Sequence, residues 1–163
     1  MVRSFTSTWE FITRDIRTKA TIVYDEIKLE IVAVWDTGAT NTCISMSVVE
    51  KLGAIPEAMH PMETPNDSRL AGVYFADIIL PNDVVFTDLQ ILDAKIKGID
   101  MLIGMDIIAR GDFAITHPNG KTVFTYQIPS QETIDFVKKT RINNLLKGKS
   151  AKSASQSGMV KRR

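Results

Sequence analysis

The chain has one cysteine, Cys43, in 163 residues. An internal disulfide is therefore excluded, and a reducing compartment fits this cysteine usage. No apolar run approaches the roughly 18 residues that a membrane span requires. Residues Met1 to Ala20 lack the core of a signal peptide, because Phe5, Trp9, Phe11 and Ile12 are broken up by Thr, Glu and Arg. A cytoplasmic location without a membrane partner is the expectation. The only histidines, His60 and His117, are isolated and stand next to prolines. No His/Cys/Asp cluster has metal spacing, and no glycine-rich phosphate loop is present, so neither a metal nor a cofactor is expected. The Phe and Trp residues do not interleave with a basic patch, which leaves a nucleic-acid surface in the body unsupported.

What is present is an ordinary globular composition, 44% apolar, in a chain long enough for one domain with its own core. The net charge of +1 is unevenly spread. From Lys147 to Arg163 there are six Lys/Arg and no acid, so residues 1–146 carry 14 basic and 19 acidic side chains, a net of −5. The tail 148–163, rich in Ser, Ala, Lys and Gly, reads as disordered and basic.

The body reads as mostly β. Lys19 to Tyr24 and Ile27 to Trp35 are two strands around a turn at Asp25-Glu26, the second becoming apolar on both faces near its end. Ser45 to Leu52 has helical spacing, and Gly53 stands where a helix C-cap belongs. Pro56 to Asp67 reads as irregular chain, leading to a hairpin tip at Asn66-Asp67-Ser68. Strands follow at Leu70 to Leu80 and Val84 to Leu92, separated by a Pro81-Asn82-Asp83 turn. Met101 to Gly104 is a short buried strand, and Met105 to Arg110 is a turn of helix. Phe113 to Thr116 and Thr122 to Ile128 flank the hairpin turn His117-Pro118-Asn119-Gly120. Many short strands at close spacing predict a closed or sandwiched sheet. Ser130 is placed to cap a last helix with a moderately apolar stripe, Ile134, Val137, Ile142 and Leu145.

The sequence Trp35-Asp36-Thr37-Gly38-Ala39-Thr40 comes directly off the apolar strand. Peptide hydrolysis at mild pH needs a water deprotonated and a carbonyl protonated together. Two carboxylates sharing one proton do both, because like charges about 3 Å apart cannot both ionise easily. Thr37 offers a hydroxyl to fix the backbone around the carboxylate, and Gly38 lets an N–H approach it with no Cβ in the way. The triplet occurs once, so if it serves this chemistry the second acid has to come from a second copy of the chain. Asp106 and Asp112, which flank the short helix after Gly104, read as helix and turn caps.

Asp36-Thr37-Gly38-Ala39, Leu102-Ile103-Gly104-Met105-Asp106 and the strand pattern between them resemble the retroviral-type aspartic proteases, the retropepsins and their bacterial relatives. The resemblance covers about Thr18 to Tyr126. It implies a mainly β, closed barrel-like protomer with one short internal helix, supplemented here by a C-terminal helix. The corresponding division is an N-terminal arm 1–17, a protease domain 18–128, a helix 129–147 and the tail. The resemblance further implies a homodimer acting on extended polypeptide, with Asp36 as the catalytic carboxylate, Thr37 at the central dimer contact and Gly38 bonding the substrate backbone. Substrate contacts would come from Ala39, Thr40, Leu70, Ala71, Gly72 and Ile103. A flap would lie within Glu63 to Tyr74, its tip near Asn66 to Gly72. Many viral members carry an acid where Thr40 stands and an arginine where Met105 stands, paired with each other; both are absent here. The flap is also poorer in glycine. A peptide-binding or dimerisation module on the same fold is the alternative function, and the C-terminal helix is a candidate part of the dimer interface.

Overall fold

The computed structural model describes residues 1–64 and 67–159. Ten strands and three α-helices form two compact units, 1–131 and 132–163. Strands β2 (Arg17–Tyr24), β3 (Ile27–Trp35), β8 (Met101–Ile103), β4 (Cys43–Ser45), β7 (Val84–Ala94) and β6 (Asp67–Leu80) pair in that order. A further pairing of β2 with β6, through Ile22↔Ile78, closes them into a six-stranded barrel. The fold is therefore mainly β and closed, as expected. Its core is aliphatic: Ile22, Ile44, Ile78, Ile91, Met101 and Ile103 are all fully buried.

Strand β8 lies between β3 and β4, parallel to the first and antiparallel to the second. This arrangement brings the end of β3 and the glycine after β8 together in the middle of the molecule. Helix α1 (Met46–Leu52) follows β4, with Ser45 accepting the Val48 amide at its start and Gly53 left-handed at its end (φ 60°). Helix α2 (Met105–Ile108) is a single turn directly after Gly104.

Three strands were not anticipated, the first of them β4, a stretch the sequence left without an element. Residues Arg3–Trp9 form β1, which pairs antiparallel with β10 (Thr122–Ile128) from Arg3↔Ile128 to Trp9↔Thr122. With β9 (Asp112–Thr116) they make a three-stranded sheet, so Arg3–Trp9 of the expected arm is strand. The supposedly irregular segment after Pro56 contains β5 (Ala58–Thr64), paired with β6 from Ala58↔Val73 to Thr64↔Asp67. Pro61 sits within it because β5 is an edge strand, where a missing N–H costs no ladder bond. The expected tip residue Asn66 lies outside the described residues. Gly72 is not near the tip but at the base of the hairpin, opposite Met59.

In the second unit, helix α3 spans Phe136–Met159. It starts later than expected because Ser130 does not cap it: the Ser130 hydroxyl donates to Asp112 instead. Asp135 supplies the cap, accepting the Lys138 amide at 3.0 Å. The helix also continues past Gly148, where disorder was expected. No helix among the described residues is long and apolar enough to cross a membrane.

Candidate active site

Asp36 follows the last residue of β3 and is anchored from both sides of the chain. Its amide donates to the Ile103 carbonyl at 3.0 Å, and its carbonyl accepts the Ala39 amide at 3.2 Å. Its carboxylate Oδ1 accepts the Gly38 amide at 2.8 Å. A Cβ at residue 38 would lie 3.1 Å from that same oxygen, so glycine permits the approach. Asp36 is half-buried, whereas Thr37 and Gly38 are exposed.

The support behind Asp36 is aromatic. Trp35 packs against Phe124 and Tyr126 with ring centroids 4.8 and 5.0 Å apart, and Phe5 joins the cluster at 6.1 Å from Trp35. Trp35 Nε1 donates to Thr18 Oγ1 at 2.9 Å, and the Tyr126 hydroxyl donates to the Ile107 carbonyl at 2.9 Å. Burial pushes the Tyr126 hydroxyl up to about 12, so it stays a neutral donor. The three-stranded sheet thus does more than finish the chain: it clamps the residue that precedes the candidate catalytic acid.

The loop after Asp36 is tied to α2. The Met105 amide donates to Ala39 O at 2.8 Å and the Asp106 amide to Thr40 O at 3.2 Å. Asp106 accepts the Thr42 amide at 2.9 Å and the Thr42 hydroxyl at 2.7 Å. The hydroxyl also accepts the Gly104 amide at 3.1 Å. Two backbone bonds and the Thr42–Asp106 contact therefore hold the segment where many viral members use an acid–arginine pair. Asp106 was expected as a cap; it lies instead within the first turn of α2, whose N-cap Gly104 has no side-chain cap bond, and its carboxylate ties the loop through Thr42.

Beyond Asp36 opens a groove of about 400 Å³. Its floor includes Asp36, Gly38, Ala39 and Thr40; its roof is His60, Pro61 and Met62 of β5, and Leu92, Ala94 and Leu102 form a wall. Asp36 is the only acid lining it among the described residues. Cys43 also lines the groove, but burial, then the Asp106 charge, pushes its thiol up to about 11, which makes it unreactive. On the other side of Asp36 a smaller cleft of about 240 Å³ is lined by Asp36, Thr37, Trp35, Phe113 and Ile115.

The anticipated site residues thus divide. Asp36, Gly38, Ala39 and Thr40 share one groove, and Thr37 faces the neighbouring cleft. Leu70 is exposed on the hairpin. Ala71 and Ile103 are fully buried in the two hydrophobic clusters and have no side-chain surface to offer a substrate. The Gly72 amide is occupied, donating to Asp93 at 2.8 Å. His60 and Met62 were missed as groove residues because Pro61 made their segment look irregular. Among the described residues no group of three His, Cys, Asp or Glu is placed to hold a metal ion.

The backbone arrangement has a solved counterpart. The crystal structure of a retropepsin-like aspartic protease from Rickettsia conorii superposes with a TM-score of 0.52 at 15% identity, covering 78% of this chain and 96% of that one. The fold is retropepsin-like. The simian foamy virus protease is more distant, with a TM-score of 0.42 at 20% identity over 58% of this chain and 92% of its own. No protein-family model and no curated protein matches the sequence.

Proposed function

We propose that this protein is a homodimeric aspartic endopeptidase that hydrolyses peptide bonds of extended polypeptides. The observation that carries the reading is the placement of Asp36. It directly follows β3 where that strand is buried at Ala33 and Val34, has one carboxylate oxygen held by the Gly38 amide, and opens onto a hairpin-roofed groove in which it is the only acid among the described residues. One carboxylate cannot serve as base and acid at once, so the site is complete only with the Asp36 of a second copy.

In the pair, one carboxylate is ionised and takes a proton from a bridging water. The other is protonated and gives its proton to the scissile carbonyl. The Gly38 amides steady the carboxylates by donating hydrogen bonds to them. The groove walls are apolar at Leu92, Ala94 and Leu102, which favours hydrophobic side chains beside the scissile bond.

A second copy has a plausible seat at the cleft beside Asp36. Thr37 is exposed there, and Phe113 and Ile115 on β9 are 38% and 44% exposed. Strand β9 pairs only with β10 among the described strands, so it is an edge of its sheet. Strand β1 is the other edge of that sheet and likewise pairs only with β10 among the described strands.

The test is Asp36→Asn assayed on a denatured protein substrate, with the mass of the assembly measured alongside. Cleavage is expected to vanish while the dimer persists. Undiminished turnover by the variant rejects the assignment.

A further inference from the structure

The β5–β6 hairpin leaves the barrel with little to hold it. The β6–β7 ladder begins at Val73↔Leu92, so residues 67–72 of β6 pair only with β5. Across that gap stands one charged cluster. Asp93 of β7, 5% exposed, accepts the Gly72 amide at 2.8 Å and the Tyr74 hydroxyl at 3.2 Å through Oδ2. Its Oδ1 is buried without a hydrogen bond of good geometry, and faces the Arg69 guanidinium at 2.6 Å. Arg69 Nη2 also donates to the Asp93 carbonyl at 2.6 Å.

Each member depends on the others. A Cβ at residue 72 would stand 2.6 Å from Asp93 Oδ2 and 2.7 Å from the Tyr74 hydroxyl, so the cluster requires glycine there. Burial, then the Asp93 charge, pushes the Tyr74 hydroxyl up to about 12, so it remains a donor. A carboxylate this buried is tolerated only when its charge is met; at Oδ1 the Arg69 guanidinium meets it. Arg69 lies three residues further out along the hairpin than Gly72, opposite Met62, which lines the groove roof.

We propose that Arg69 is a positioning residue: with Asp93 it latches the outer half of the hairpin to β7 and so sets the height of the groove roof over Asp36. This rests on the endopeptidase reading for its effect on turnover, but not for its effect on the hairpin. Below the latch the hairpin is held by Ala71 and Met62, which pack with Leu92 and Ala94; beyond that cluster the outer half opens by local unfolding, without loss of the barrel. Without the latch, part of the substrate's binding free energy goes into closing the hairpin.

The test compares Arg69→Gln and Arg69→Lys with the unaltered chain by amide hydrogen exchange. Read-outs are residues 58–64 and 68–72 of the hairpin and, as internal reference, the β2–β3 ladder. Arg69→Gln is expected to speed hairpin exchange by at least about tenfold, with β2–β3 unchanged. Arg69→Lys, which keeps the charge but not the planar fork, is expected to fall between. On a polypeptide substrate, Arg69→Gln is expected to raise KM about tenfold with kcat within about threefold, and Lys to rescue part of it. Hairpin exchange within twofold of the unaltered chain in Arg69→Gln overturns the latch. Should that variant lose the barrel, the same comparison in Arg69→Lys decides, unchanged hairpin exchange again counting against it. A protein that shows the exchange effect but no cleavage at all keeps the latch and loses the protease.

Discussion

Asp106 grips Thr42 at two points, taking its amide at 2.9 Å and its hydroxyl at 2.7 Å. Thr42 stands four residues past Gly38, and the Gly104 amide completes the triangle on its hydroxyl at 3.1 Å. The loop after Asp36 is thus held by a carboxylate that does not line the groove.

Replacing that carboxylate should loosen the loop. Asp106→Asn turns one acceptor into a donor facing donors, and a loss of about 1–3 kcal/mol is expected. Urea unfolding measures it. Thr42→Val in the same background should cost about a further 1–3 kcal/mol, because it also takes the acceptor from the buried Gly104 amide. An unchanged midpoint in Asp106→Asn would show that the contact contributes nothing.

Gly104 is required by space rather than by conformation. A Cβ there would lie 2.5 Å from the Asn41 carbonyl carbon and 2.9 Å from the Thr42 nitrogen, both backbone. Gly104→Ala is expected to destabilise by at least about 1–3 kcal/mol, and to move the Asp36 loop. At Gly53 nothing lies within 4 Å, but φ is +60°, so alanine should cost only about 1–2 kcal/mol. Thermal or urea unfolding of the two variants should rank them in that order.

Three buried groups make alkaline pH unfavourable. Burial is the leading cause for each: Cys43 is raised from 9.0 to about 11, and Tyr74 and Tyr126 from 10.0 to about 12. The unfolded chain releases these protons first, so above about pH 9 it binds fewer protons than the native state and stability falls with pH. The urea midpoint should be level up to that point and decline as pH rises toward 11. Cys43→Ala should remove the earliest part of the decline. A midpoint constant to pH 11 would contradict the burial of all three.

A transition-state mimic of peptide hydrolysis separates catalysis from mere peptide binding. The paired-carboxylate site should bind such a mimic far more tightly than the matching peptide, at one mimic per two chains, because the two-fold axis makes one site. Titration calorimetry reads both numbers. Equal affinity for peptide and mimic would favour a binding module on the same fold.

Much of this was legible in the sequence because the signals were local. Asn119-Gly120 marked a hairpin, Gly53 ended a helix, and the apolar run into Asp36 identified a buried strand. The elements that escaped detection depend on partners distant in sequence. In β1 only Phe5 is buried, among Arg, Ser and Thr, so its strand character comes from the β10 ladder. In β5, Pro61 argued against a strand that only its edge position permits. Ser130 looked like a helix cap until Asp112, 18 residues earlier, claimed its hydroxyl. For the site, Asp36 and its loop could be read directly. The burial of Ala71 and Ile103, and the role of Asp93 beneath Gly72, required the barrel to be closed first.

The most direct measurement mixes unaltered chain with Asp36→Asn, refolded together so that copies exchange. If each site needs an acid from two chains, a mixed pair is inert. Activity then falls as the square of the unaltered fraction, to about one quarter in an equal mixture. A fall to about one half, in simple proportion to the unaltered chain, would mean that each copy works alone, and would contradict the shared site.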